Sequence, residues 1–298
     1  MKTPITKESG NRSISSWMAL IFLGLLWGSS YIFIKKGLES FSAIQVATIR
    51  ICITAVAFLP IAIYHLRKID KRYLPYIAAV GFIGSFFPAF FFSLGQTRVS
   101  SAMAGVLSSL TPLFTLIIGV FFFKQKGGLR KLVGVILGLL GATWLIIYGN
   151  GNLSGDWRYA LFIIAATACY ATSSNIIHTK LKQLNSTALG AISFVLIGIP
   201  SAIILSQTNV AEILQTSPNA WNSLYYLLFL ALIGTFLATM VFFRLVQKEG
   251  AVFSTMVGYF FPLVATFLGY MDNEVIRYPH FIGMFLILSG VYILRRVE

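Results

Sequence analysis

The chain has 298 residues, 57% hydrophobic and 11% charged, well above the roughly 45–50% apolar content of a soluble globular domain. That balance excludes an ordinary water-soluble fold and indicates a chain solvated by lipid. Lys and Arg number 23 against 9 Asp and Glu, a formal net charge of +14, so nucleic acid or an acidic partner stays open until the basic residues are placed along the chain.

A bilayer-spanning helix needs about 20 apolar residues, and ten such runs can be marked between charged or Gly/Asn/Pro-rich breaks. The first, residues 17–34, follows a tail of residues 1–16 carrying Lys2, Lys7 and Arg12. It is longer than the apolar core of a signal peptide and lacks a small-x-small cleavage site, so a retained helix is expected. Next come residues 43–63, with Arg50 inside the run, and residues 74–94, with Pro75 in the first turn. Residues 99–123 contain Pro112 near their middle, and residues 129–148 complete a first unit, 17–148. Residues 149–156, rich in Gly and Asn, read as a linker. The second unit, 157–294, holds runs at 157–178, 188–206, 222–243, 251–271 and 279–294, with Pro262 mid-run in the fourth and Pro279 opening the fifth; residues 295–298 form a short tail.

The two units echo each other. Gln96 to Met103 followed by Ser108-Ser109-Leu110-Thr111-Pro112-Leu113 is answered by Val246 to Phe253 followed by Gly258-Tyr259-Phe260-Phe261-Pro262-Leu263, the prolines standing 150 positions apart. Trp27-Gly28-Ser29-Ser30 aligns with Tyr170-Ala171-Thr172-Ser173, and Gly134 and Gly141 with Gly283 and Gly290. With the N-terminus placed in the cytoplasm, seventeen basic residues fall in inner segments and five in outer ones, leaving Arg50 within a span. The net charge is thus an orientation signal, and nucleic acid drops out as a partner. Five helices per unit is an odd number, so the units enter the membrane from opposite sides. The expected fold is an all-α polytopic membrane protein of ten helices in two inverted five-helix repeats, a pattern of secondary transporters, with both termini cytoplasmic.

A proline within a helix cannot donate to the carbonyl four residues earlier, so Pro112 and Pro262 are expected to free the carbonyls of Ser108 and Gly258 and to act as paired hinges. Hydroxyls, an amide and rings within the runs suggest a central cavity. Its candidate lining is Trp27, Ser30, Tyr31, Phe86, Phe90, Ser108, Thr111, Tyr170, Ser173, Asn175, Thr239 and Tyr259, with the walls drawn from helices 1, 4, 6, 8 and 9. Arg50 lies about seven residues from the outer end of its helix. At that depth a long side chain can snorkel to the interface, so a structural anchor is the first expectation and an anion-attracting role the alternative. His178 is a minor candidate for a coupling group. Cys52 and Cys169 read as small buried hydrophobes.

All nine acidic residues fall in tails, loops or helix ends, which argues against a buried carboxylate relay. There is no nucleophile–base constellation, phosphate-binding loop or metal-ligand spacing. No catalysis, cofactor or metal is expected. The partners are a small-molecule substrate and the lipid bilayer, and the chain is expected to act as a monomer.

Trp27-Gly28-Ser29-Ser30, the run Ala43 to Phe58 with Arg50, Leu107 to Leu113, and Asn273-Glu274 followed by Gly283 and Gly290 together resemble the EamA-type transporters of the drug/metabolite transporter superfamily, over essentially the whole chain. The resemblance implies two EamA repeats around a cavity open alternately to either side, in proteins that export amino acids, other small metabolites or drugs. It also implies a Glu after helix 4; here that place holds Gln125, whereas the second repeat keeps Glu274. The expected function is export of small neutral or zwitterionic metabolites across an inner membrane, amino acids first. The alternatives are exchange of an anionic metabolite through Arg50, and a non-transporting membrane sensor or scaffold.

Overall fold

The computed structural model describes residues 13–123, 129–148 and 157–295, and every regular element among them is helical. The principal helices are α1 (Ile14–Leu38), α2 (Ala43–Leu66), α3 (Lys71–Gly95), α4 (Ser101–Phe123), α5 (Leu129–Tyr148), α6 (Trp157–Lys180), α7 (Ser186–Ser206), α8 (Ala220–Glu249), α9 (Ala251–Met271) and α10 (Tyr278–Arg295). A short helix, Val210–Thr216, lies between α7 and α8. Eight of these helices are long and apolar enough to cross a membrane; α5 and α10 hold shorter uninterrupted apolar stretches, Ile136–Leu145 and Tyr278–Gly290. Of the ten expected spans, eight are matched on these terms among the described residues. The expected linker at 149–156, Gln125, Lys124, Lys126 and the tail residues 1–12 and 296–298 lie outside the described residues.

Local chemistry sets where the helices start. Ser42 and Gln45 form a reciprocal capping box at α2, Asn185 accepts from the Thr187 and Ala188 amides at α7, and Ser100 accepts from the Met103 amide at α4; each pair satisfies amides that a helix start leaves open. Gly250, with φ of 92°, makes the sharp junction between α8 and α9 that an L side chain would strain.

Four helices are irregular in mid-span, in matching pairs. α4 breaks at Ser109–Leu110 between the segments Ser101–Ser108 and Thr111–Phe123. α9 runs from Ala251–Thr255 through a 3-10 turn, Met256–Tyr259, to Phe261–Met271. α3 and α8 each contain a π turn, Phe82–Phe86 and Leu232–Leu237. The prolines therefore differ from the sequence expectation. Each is the second residue of an outgoing segment, where its missing N–H removes no bond, and the carbonyl of Ser108 is not free but accepts the Thr111 hydroxyl at 2.7 Å.

The closest helix pairings are α2 with α7, α4 with α9, and α5 with α10, while α1 packs on α8 and α9 as α6 packs on α3 and α4. Exchanging each helix for the one five places on leaves this pattern unchanged. Small residues allow the approach: a Cβ on Gly105 would meet Phe261 O at 3.1 Å, and one on Gly290 would meet Gly138 N at 2.8 Å. The outward faces carry Leu25, Val56, Ile63, Phe121, Phe267 and Phe285, all exposed, as expected of surfaces that meet lipid tails.

Candidate functional site: a central cavity with one arginine

The π turns build the middle of the molecule. A π turn skips one bond of the helical ladder and leaves carbonyls to other partners. Around the α8 turn, the Gly234 carbonyl accepts the Trp27 indole N–H at 2.8 Å, the Ala231 carbonyl accepts the Thr54 hydroxyl at 3.1 Å, and the Leu230 carbonyl accepts the Thr235 hydroxyl at 2.9 Å. The α3 turn presents Gly84 and Ser85 from the opposite wall, and the two turns are seated alike. Gly234 lies against Ser30, whose Oγ is 3.1 Å from where a Cβ would stand, and Gly84 lies against Ser173, whose Cβ is 2.7 Å from the corresponding point.

Between these turns is a cavity of about 90 Å³, room for several water molecules at roughly 10–15 Å³ apiece. α1 contributes Trp27, Ser30, Tyr31 and Ile34; α2 contributes Arg50; α3 contributes Gly84, Ser85 and Phe92; α4 contributes Thr111. From the second half come Tyr170, Ser173 and Ser174 of α6, Phe194 of α7, Gly234, Thr235, Thr239, Phe242 and Phe243 of α8, and Thr255, Val257 and Phe261 of α9. The rings form a connected wall: Phe92 stacks on Tyr170 at 5.8 Å and tilts against Tyr31 at 5.7 Å, Tyr31 meets Phe261 edge-on at 6.0 Å, and Trp27 meets Phe242 at 4.8 Å.

Arg50 is the one charged residue in this lining. The side chain is tied to α8: its Nε donates to the Thr235 hydroxyl at 2.9 Å. The phenol groups of Tyr31 and Tyr170 are within its electrostatic reach. Among the described residues no carboxylate pairs with Arg50; the ion pairs lie at helix ends, where Lys35 meets Asp272 at 2.7 Å and Glu274 at 3.0 Å, and Lys36 meets Asp272 at 2.7 Å.

Of the expected lining residues, Trp27, Ser30, Tyr31, Thr111, Tyr170, Ser173 and Thr239 come together here with Arg50. Five do not. Phe86 and Phe90 face each other at 4.8 Å and pack with the cluster between α2, α3, α7 and α8. Ser108 is buried with its hydroxyl donated to the Ala104 carbonyl at 2.6 Å. Asn175 is buried as a brace between helices, donating to the Thr115 carbonyl of α4 at 2.9 Å and the Ala171 carbonyl at 3.0 Å. Tyr259 lies with Phe285, Leu288 and Tyr292 in an open groove beside α10. His178 sits against Gly250 at the end of α6, outside the lining.

The sequence reading missed Ser85 and Phe92 on α3 and, with Phe194, the wall supplied by α7. A signal was present: Ile83-Gly84-Ser85-Phe86 and Ile233-Gly234-Thr235-Phe236 repeat at the same 150-residue offset as the prolines, and these are the residues of the π turns.

A model of the EamA-like transporter family matches residues 15–147 and 157–296. The chain belongs to the EamA-like transporter family. Its relatives include an uncharacterised transporter of Archaeoglobus fulgidus, 26% identical over 95% of this chain and 99% of the other. Protein PagO of Salmonella typhimurium is 25% identical over 93% and 94%, and the uncharacterised inner membrane transporter YedA of Escherichia coli K12 is 26% identical over 84% and 80%. A solved crystal structure aligns with a TM-score of 0.64 at 14% identity, covering 96% of this chain and 100% of the other, a likeness of fold alone. The family indicates a multi-pass membrane transporter of small molecules rather than an enzyme.

Proposed function

We propose that this EamA protein exports small metabolites across an inner membrane by alternating access, with neutral or zwitterionic solutes, amino acids first, as cargo. In this reading all ten helices span the bilayer as two inverted repeats, 17–148 and 157–294, both termini are cytoplasmic, and a single chain is the working unit. The observation that carries it is the cavity at the crossing of α1, α3, α6 and α8, walled by rings and hydroxyls and joined to broken helices on both sides. Discontinuous helices around a midplane cavity are the usual frame of a secondary transporter. The broken pair α4 and α9 would move as one device, because Gly258 lies so near Pro112 that a Cβ added to it would stand 3.4 Å from the proline Cδ. The excess of basic residues in inner segments supports the orientation, and the naming of YedA supports the inner membrane.

A second reading, an anionic cargo, is favoured by Arg50, which faces the cavity with no carboxylate partner among the described residues. Counterflow in liposomes over a panel of amino acids, organic acids, nucleosides and cationic drugs tests both. Accumulation of amino acids is the expected result; uptake confined to organic acids moves the assignment to the second reading. Silence across the panel with confirmed insertion overturns transport in favour of a sensor.

A further inference from the structure

We propose that the cargo is recognised through a carboxylate held end-on by Arg50, with an apolar body lying against the rings, and that Thr235 is the residue that positions the arginine. This rests on the second reading above, an anionic cargo, and narrows it to small carboxylic acids.

The argument begins with donors. A guanidinium has five N–H groups in a rigid fork, and the Nε–H of Arg50 is committed to Thr235. That hydroxyl is a fixed acceptor, since its own proton goes to the Leu230 carbonyl at 2.9 Å, five residues back across the π turn. The clamp holds Arg50 from one edge, the Tyr170 phenol lies within hydrogen-bonding reach of the guanidinium, and the Nη hydrogens that remain can take a carboxylate through charge-assisted bonds. Thr54, one turn further along α2, shares its single hydroxyl proton between the Arg50 carbonyl at 2.8 Å and the Ala231 carbonyl at 3.1 Å, linking the backbone that carries the arginine to the start of the same turn.

The field points the same way. The outgoing segments of α4 and α9, 13 and 11 residues long, begin at Thr111 and Phe261, and both residues line the cavity. Their amino ends add partial positive charge beside the guanidinium. No carboxylate is in the lining to offset either. A cation therefore meets repulsion, and the ammonium group of an amino acid finds only ring faces and hydroxyls. The rings of Tyr31, Phe92, Tyr170 and Phe261 offer an apolar wall for a short aliphatic or aromatic body. Four-carbon to eight-carbon acids suit a site of this chemistry, and an uncharged amide of the same shape does not, because it cannot answer the two Nη donors.

The experiment uses two isosteric pairs, 3-methylbutanoate with 3-methylbutanamide and phenylacetate with phenylacetamide, in counterflow on liposomes and in thermal unfolding of the detergent-purified protein. The expected result is at least tenfold faster counterflow of each acid than of its amide and stabilisation by the acids alone. Arg50→Gln abolishes both preferences. Thr235→Val raises the acid KM about tenfold with turnover within about twofold, and Thr235→Ser restores the native value, a split that mere loss of packing would not give. Equal transport of acid and amide overturns the carboxylate assignment while leaving the transporter standing. Acid-selective stabilisation lost in Arg50→Gln, without flux of any solute, supports the assignment and overturns transport. A wild-type protein that neither carries nor is stabilised by the acids overturns the proposal.

Discussion

Gly84 and Gly234 occupy equivalent places in the two π turns, but the space in front of them differs, and the difference orders the effects of substitution. A Cβ on Gly84 would overlap Ser173 with that residue's own Cβ only 2.7 Å away, whereas a Cβ on Gly234 would stand 3.1 Å from the Ser30 hydroxyl. A hydroxyl can rotate; a Cβ is fixed to its helix. Overpacking of this kind typically costs about 1–3 kcal/mol, so Gly84→Ala should lower the unfolding temperature and transport more than Gly234→Ala, and Ser173→Gly should recover part of the loss. Thermal unfolding and counterflow of the three variants check the order, and a larger defect in Gly234→Ala would refute it. The same scale shows where the sequence ran out. Arg50 was legible as a charge in an apolar run, but whether it reached outward or inward depended on Thr235, 185 residues away. Asn175 was legible as an amide needing a partner, and its partner proved to be a carbonyl of α4, not a solute.

Within single helices, apolar run length and the charged or Gly/Asn/Pro-rich breaks located the main helices to within a few positions at most ends, because both are local properties. The breaks were only half legible. Proline announced the irregularity of α4 and α9, while the π turns of α3 and α8 contain no proline and surfaced only as a repeated Ile-Gly-Ser/Thr-Phe. A π turn arises where its freed carbonyls find outside partners, here Trp27 and Thr54 at the α8 turn, and those partners are nonlocal. This changes what the prolines can be asked to do. Each sits where a missing N–H removes no bond, so Pro112→Ala and Pro262→Ala should each change stability by less than about 1 kcal/mol. If the breaks are the hinges, the double variant allows the segments to fuse into continuous helices and slows turnover severalfold with KM nearly unchanged. Counterflow kinetics decide it, and native turnover in the double variant would remove the hinge role.

At the scale of the whole molecule the two halves pack with a symmetry that their charges do not share. One end of the bundle is tied across three helices. The Glu274 carboxylate, just past α9, accepts from the Ser101 and Ala102 amides at the start of α4, at 2.9 and 3.0 Å, and meets Lys35 of α1. Asp272 binds both Lys35 and Lys36, and the Gln96 amide donates to the Tyr31 carbonyl at 2.8 Å. In the alternating-access reading proposed above, opening at this end would part α1 from α4 and α9, and these bonds would act as a latch. Bonds to a charged carboxylate contribute about 1.5–3 kcal/mol each, enough to shift an open–closed balance by tenfold or more. Glu274→Gln places an amide N–H against a backbone N–H and removes the charge facing Lys35. In a background lacking Cys52 and Cys169, a cysteine introduced at Ser85 should then react at least tenfold faster with a membrane-impermeant maleimide added on the Lys35 side. Acid should act through Asp272. Burial alone would raise its carboxyl, but the ammonium groups of Lys35 and Lys36 outweigh that and hold it below the usual carboxylate range. A depressed carboxylate stabilises above its unfolded value, about 3.9, and loses that contribution only as pH falls through the folded value. Labelling of the parent, taken relative to a fully exposed reference cysteine so that the loss of thiolate in acid cancels, should therefore stay flat from pH 8 to 5. An increase within that window, or native labelling in Glu274→Gln, would show that something other than these carboxylates keeps this end shut.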